Sequence, residues 1–138
     1  MTEIVEDILK FKEKVTKRQE AVRRRAAVLV STAIVNGSPV KTGNFKANWQ
    51  WGWGVPPGGT TDAVDPSGSA TIGAIEAAIA FGPRRSGVVG YLVNNLPQAM
   101  RMEYGWSMQA PAGMVRINVA RWQAFVSQAA AEAKTEIP

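Results

Sequence analysis

The sequence predicts an α+β domain in which a long N-terminal helix and a C-terminal helix pack on a small β-sheet, with a long inserted loop. Three observations carry this. Residues 3–35 hold no Gly or Pro and repeat apolar side chains with the 3.6-residue period of a helix. Residues 45–53 change to the period of two that marks a strand. From Pro111 onward the helical period returns. The chain has 138 residues, enough for one domain with its own core, and no repeat or boundary divides it. Residues 1–138 are therefore read as a single unit.

The elements follow in order. Thr2 can cap the first helix. Ile4, Ile8, Phe11, Val15, Val22, Ala26, Leu29 and Ala33 fall on one narrow stripe of it. Lys10, Lys14, Lys17, Arg18, Arg24 and Arg25 gather on another side. From Val28 to Val35 the helix is apolar nearly all round, which predicts deep burial of that end. Unbroken, it is ~50 Å long. Asn36 and Gly37 cap its end, and Pro39 prevents continuation. Across 45–53, Phe45, Ala47, Trp49, Trp51 and Trp53 alternate with polar residues or glycine, which predicts a half-buried strand with an aromatic face. Residues 54–69, "GVPPGGTTDAVDPSGS", read as a loop, with Asp62 and Asp65 capping or turning it. A short helix over 70–81 capped by Ser69, a strand over 88–93, and a helical turn within 98–105 ending at Gly105 come next. Pro111 suits the first turn of the last helix, where Val115, Val119, Trp122, Val126, Ala129 and Ala133 recur.

Composition narrows the chemistry. With 46% apolar and 20% charged residues, the chain is of ordinary globular make-up. It has no cysteine, so disulfides and thiolate metal sites are excluded. It has no histidine, so a Ser-His-Asp or Cys-His site cannot form within one chain. The longest nearly apolar run, residues 26–35, is far short of the ~20 residues of a membrane span and starts too late for a signal peptide. The expectation is a cytoplasm-like compartment, no membrane partner, no catalytic residues, no metal and no cofactor.

Two words in "SPVKTGNFKANW", residues 38–49, look catalytic. Ser38-Pro-Val-Lys41 reads S-x-x-K, and Lys41-Thr-Gly43 reads K-T-G, both from the penicillin-binding and β-lactamase signature. That signature places them on separate segments with different lysines. Here they share Lys41, and no S-D-N word is present. The stretch is instead expected to be a turn, with Pro39 stiffening it, Thr42 bonding locally and Gly43 supplying positive φ.

The net charge of +5 is concentrated. Residues 10–25 hold eight Lys or Arg against Glu13 and Glu20. The basic stripe leaves three readings open: contact with nucleic acid phosphates, contact with anionic lipid, or a solvated face paired with acidic neighbours in an assembly. Trp49, Trp51 and Trp53 suit either base stacking or packing, under the long helix or in a subunit interface. Glu103, in "RMEYG", is expected to pair with Arg101 or Arg116.

Three stretches together resemble a known family. They are "SPVKTGNFKANW" (38–49), "YLVNNLPQAMRMEYGWS" (91–107) and "QAPAGMVRINVA" (109–120). They are similar to the neck and tail-completion proteins of long-tailed bacteriophages, small tail components found among head–tail joining genes. Pro39, Val40, Thr42 and Gly43 match a P-V-x-T-G word that opens a strand in that family. Asn94, Asn95, Leu96 and Pro97 match an N-N-x-P word, and Glu103, Tyr104 and Gly105 match E-Y-G. Gln109, Ala110, Pro111, Gly113 and Met114 match a Q-A-P-x-G-M entry to the last helix. Lys41 and Gln98 depart from the pattern, in which a more acidic or polar residue and a tyrosine are usual.

The resemblance implies a structural virion protein, not an enzyme. It would form a ring, commonly six-fold, around the DNA channel at the head–tail junction. It would be assembled in the host cytoplasm and end in the virion. Its partners would be copies of itself and other neck and tail proteins: a connector or stopper, a tail terminator or a tail tube. In that setting the basic stripe would face acidic neighbouring subunits or genomic DNA, and the 54–69 loop would dock a neighbouring ring protein. The alternative is a sequence-independent nucleic-acid-binding domain using the basic N-terminal helix.

Overall fold

A computed structural model describes residues 2–83 and 87–138. The chain is α+β, in the order α1 (Thr2–Asn36), α2 (Asn44–Ala47), β1 (Trp49–Trp53), α3 (Ser69–Ala80), β2 (Gly90–Asn94), α4 (Ala99–Glu103), α5 (Val115–Val119) and α6 (Trp122–Glu136). β1 and β2 form an antiparallel pair, with Trp49 opposite Asn94, Trp51 opposite Leu92 and Trp53 opposite Gly90.

α1 is 35 residues long, about 52 Å at the usual helical rise. Its two ends differ sharply. The C-terminal part buries Ala26, Ala27, Ser31, Ile34 and Val35. Ala27, Ile34 and Val35 join Phe45, Trp49, Ile75, Ile79, Ala110 and Met114 in the main core, beneath the sheet and α3. Every residue from Thr2 to Lys14 is exposed. α6 runs antiparallel to α1 and ends where the Arg18 guanidinium donates to the Ile137 carbonyl (2.6 Å). Beyond that point α1 extends alone among the described residues.

The strand expected over 45–53 is shorter. Asn44–Ala47 is a helical turn, and only Trp49–Trp53 is extended. Gly43, at φ 95°, starts the turn, and the Asn48 amide donates back to the Asn44 carbonyl (2.7 Å) and holds it. Phe45 and Trp49 therefore meet as edge-to-face rings, centroids 6.0 Å apart, across one turn rather than along a strand. The expected last helix is also broken. Gly113, at φ 83°, and the turn Arg121 N–H to Asn118 carbonyl (3.1 Å) separate α5 and α6 from each other and from Pro111, which precedes both. The short helix near 70–81 runs from Ser69 to Ala80, but Ser69 does not cap it. Asp65 does, accepting both the backbone N–H and the hydroxyl of Thr71 (2.8 Å each). Those bonds from Thr71 hold the Asp65 carboxyl below its ordinary pKa.

Two glycines make room for the tryptophan row. A Cβ on Gly90 would run into the Trp51 ring, and one on Gly82 would run into the Trp53 indole. Trp51 and Trp53 pack edge to face, centroids 5.4 Å apart. The Trp53 N–H donates to the Ala78 carbonyl (3.0 Å), and the Arg23 and Arg24 guanidinium groups lie over its ring.

Candidate functional site

The corner after α1 is built from backbone needs. Ser38 is 5% exposed. Its hydroxyl donates to the Ile34 carbonyl (2.8 Å) and accepts the Trp49 indole N–H (2.8 Å). It clasps the end of α1 to the start of β1, while Lys41 stands exposed. Pro39 is buried in the corner. The Thr42 hydroxyl accepts the Asn44 N–H (3.2 Å), as a local turn requires. Gly43 is required twice over: its φ is positive, and any Cβ would strike Pro66 and Asp65. Its carbonyl accepts from both Ala47 (3.1 Å) and Asp65 (3.0 Å), so the far end of the long loop rests on the corner.

That loop is held along its length by side-chain amides. Asn48, fully buried, accepts the Thr61 N–H (2.9 Å) and donates to the Thr61 carbonyl (3.1 Å). Asn44 donates to the carbonyls of Thr61 (2.9 Å) and Ala63 (2.8 Å). Gln50 reaches Gly59, and Asn95 reaches Pro57 and Gly59 (3.0 Å each). Asn94 turns inward and donates to the Phe45 carbonyl (2.9 Å) while accepting the Leu96 N–H (3.2 Å). Pro97 lies exposed in the turn that leads to α4.

Glu103 organises the next segment. One carboxylate oxygen accepts the N–H groups of Met114 (2.9 Å) and Val115 (2.7 Å). The other accepts the Arg116 N–H (2.9 Å) and guanidinium (3.0 Å). Of the two arginines the sequence offers it, Arg116 is the partner; Arg101 lies over the Trp106 ring at 5.4 Å instead. Burial pushes the Glu103 carboxyl up, but the N–H bonds from Arg116, Val115 and Met114 outweigh it and hold the pKa below the ordinary 4.5. Gly113 and Gly105 permit this closeness. A Cβ on Gly113 would collide with Glu103, and one on Gly105 would stand 2.6 Å from the Pro111 carbonyl oxygen.

Gln109 closes the arrangement. Its amide accepts the Val40 N–H (2.8 Å) and donates to the Val40 carbonyl (2.9 Å), pairing with that backbone as a strand would. Ala110 and Met114 follow it into the core, 5% and 1% exposed. The three separated stretches that carry the family resemblance thus converge: Gln109 binds the corner, Asn94 binds α2, and Glu103 binds the entry to α5.

What this joint displays is apolar. Met100 in α4, and Tyr104, Trp106 and Met108 on the segment from α4 to Gln109, are 65–96% exposed. Trp106 carries Arg101 on its face, and Tyr104 carries Arg116 at 4.3 Å. Large apolar side chains clustered on a surface and flanked by arginine match the composition of protein–protein contacts. No periodic signal in the sequence marks these four as exposed.

The other residues singled out from the sequence sit elsewhere. Trp49, 7% exposed, and the half-buried Trp51 and Trp53 pack inside the chain and anchor the fold itself. The basic stripe is divided. Arg18 donates to Ile137, Arg24 to the carbonyls of Ile79, Gly82 and Pro83, and Arg25 to Glu132 and Glu136. Lys10, Lys14 and Lys17 remain on the free part of α1, Lys17 3.9 Å from Glu13. Among the described residues, no helix is long and apolar enough to cross a membrane, and no cluster of His, Cys, Asp and Glu is placed to hold a metal.

Comparison of the chain with protein-family models, with curated proteins and with solved structures finds no match. The family resemblance therefore rests on the motif residues.

Proposed function

We propose that the chain is a structural component of a tailed-bacteriophage neck or tail-proximal end, forming a ring that completes the tail and helps join it to the DNA-filled head. The observation that supports this is the convergence of the three motif stretches into one braced joint beneath Met100, Tyr104, Trp106 and Met108. Six of the matching residues have a task there: Gly43, Gly105 and Gly113 for close approach, Asn94 and Gln109 for bridging, Glu103 for capping. A rotational ring is built from heterologous contacts, in which a feature of one subunit seats on a different surface of the next. An apolar knob flanked by arginine suits that role.

The runner-up, a sequence-independent nucleic-acid-binding domain, draws on the basic helix. Half of that stripe is committed to carbonyls and carboxylates within the chain, and Glu3, Glu6, Asp7 and Glu13 share the free end with the remaining lysines. Both facts weigh against the runner-up. Immunogold electron microscopy of virions from a phage encoding this chain, with antibody raised against the purified chain, tests it. Label at the head–tail junction is expected; label on the capsid shell, the tail tip or nowhere in the particle overturns it.

A further inference from the structure

We propose that the free N-terminal third of α1 pairs antiparallel with the same segment of a second copy of this chain. Ile4, Ile8 and Phe11 are 61–69% exposed, and with Val15 they recur at spacings of four, three and four. That is the seam by which two helices interlock. The same stripe continues through Val22, Ala26, Leu29 and Ala33. There Ala26 is buried outside the main core, as are Phe125, Ala129 and Ala133 of α6. α6 therefore covers the second half of the seam and leaves the first half open.

Where α6 ends decides the orientation. Arg25 meets Glu132 and Glu136, and Arg18 meets Ile137, so α6 occupies the seam down to Arg18 and no further. A parallel partner would have to run through the space that α6 fills. An antiparallel partner does not. With Ile4 opposite Val15 of the second copy and Ile8 opposite Phe11 of the second copy, the second copy's Thr2 falls beside Lys17. That is one residue before Arg18, which holds Ile137 just past the end of α6. The incoming helix runs in the direction of α6 and continues its line.

Charge points the same way. Glu3, Glu6 and Asp7 form an acidic tip without a base, and Lys10, Lys12, Lys14, Lys17 and Arg18 follow with Glu13 alone among them. A parallel pair sets acid beside acid and base beside base. The antiparallel pair sets the tip of each copy against the basic stretch of the other. In the register above, Asp7 flanks the seam on the same side as Lys14 of the second copy, and symmetry repeats the contact. The pairing stands independently of the neck reading and describes the free chain.

Sedimentation equilibrium of the full chain and cysteine cross-linking test it together. The wild-type chain is expected at twice its 14.9 kDa. The double variant Ile8→Glu, Phe11→Glu is expected as a monomer that still unfolds in one cooperative transition, because both positions lie outside the packed body. The chain has no cysteine of its own, so Ile4→Cys and Val15→Cys each add a single thiol. Oxidising a mixture of the two should give a disulfide between the variants, and neither should link to itself. A monomeric wild type, self-linking of Ile4→Cys, or a dimer that survives the double variant each overturns the proposal.

Discussion

Replacing Glu103 with Gln tests the joint at its most connected atom. The carboxylate accepts four hydrogen bonds, from the N–H groups of Met114, Val115 and Arg116 and from the Arg116 guanidinium. Its side chain is 13% exposed, so water replaces little of what is lost. Gln keeps one acceptor oxygen, which serves Met114 and Val115. Its NH2 group then faces the two Arg116 donors, donor against donor. Two bonds to a charged acceptor are lost, each contributing about 1.5 kcal/mol, for a total near ~3 kcal/mol. For a chain of this length that is a fall of about 9 °C in Tm. The pH dependence has a definite sign. The folded pKa lies below the ordinary 4.5, so the stabilisation is present above that value and is lost as pH falls through the folded pKa. Thermal unfolding followed by circular dichroism should show a large gap between wild type and variant near neutrality that closes in acid. A fall under ~3 °C near neutrality, or a gap that does not narrow as the pH drops below the ordinary 4.5, refutes the capping role of Glu103.

Other substitutions probe the parts that hold this joint in place. Gly90→Ala drives a methyl group into the Trp51 ring and should cost about 1–3 kcal/mol in denaturant unfolding. Gly58→Ala, in open space, should change stability by under ~0.5 kcal/mol. Ser38→Ala leaves the buried Trp49 N–H without its acceptor and should cost about 1–2 kcal/mol, read from the same unfolding curves. Asn48→Ala frees the Thr61 N–H and leaves the Thr61 carbonyl to Asn44 alone. Hydrogen exchange should quicken across residues 57–63 while the buried turns of α1 keep their protection.

Much of the fold is written in period. The helical repeat of 3–35, the alternation of Trp49, Trp51 and Trp53, and the final run through Val126, Ala129 and Ala133 each mark an element that forms, although that final stretch buries Phe125 and leaves Val119 and Trp122 exposed. The turn at Asn44–Ala47 escapes this reading because Phe45 and Trp49 fit both an alternating strand and one helical turn. The left-handed Gly43 and the Asn48 amide decide between them, and neither alters hydrophobic period. The pinned loop is illegible for the same reason. Asn44, Asn48, Gln50 and Asn95 bind carbonyls 9–38 residues away, and a polar residue in sequence does not announce a distant partner. Glu103 stands out in the sequence for the cluster around it, yet its main partners are backbone N–H groups that only folding brings near. The basic residues of α1 do share a side, but Glu132, Glu136 and the Ile79 carbonyl reach Arg25 and Arg24 from elements far along the chain. Met100, Trp106 and Met108 would ordinarily be assigned to a core, and their exposure is a product of the turn that Gly105 and Gly113 allow.

On the proposed reading, the knob on this joint joins the chain to its neighbours in a phage neck. Trp106→Asp with Met108→Asp tests it most directly. These side chains are 72% and 96% exposed, so the double variant should keep its stability to within ~0.5 kcal/mol. Introduced into a phage that encodes this chain, it should leave filled heads and finished tails unjoined in electron micrographs of the lysate. Whole, infectious particles at the wild-type yield would contradict the claim.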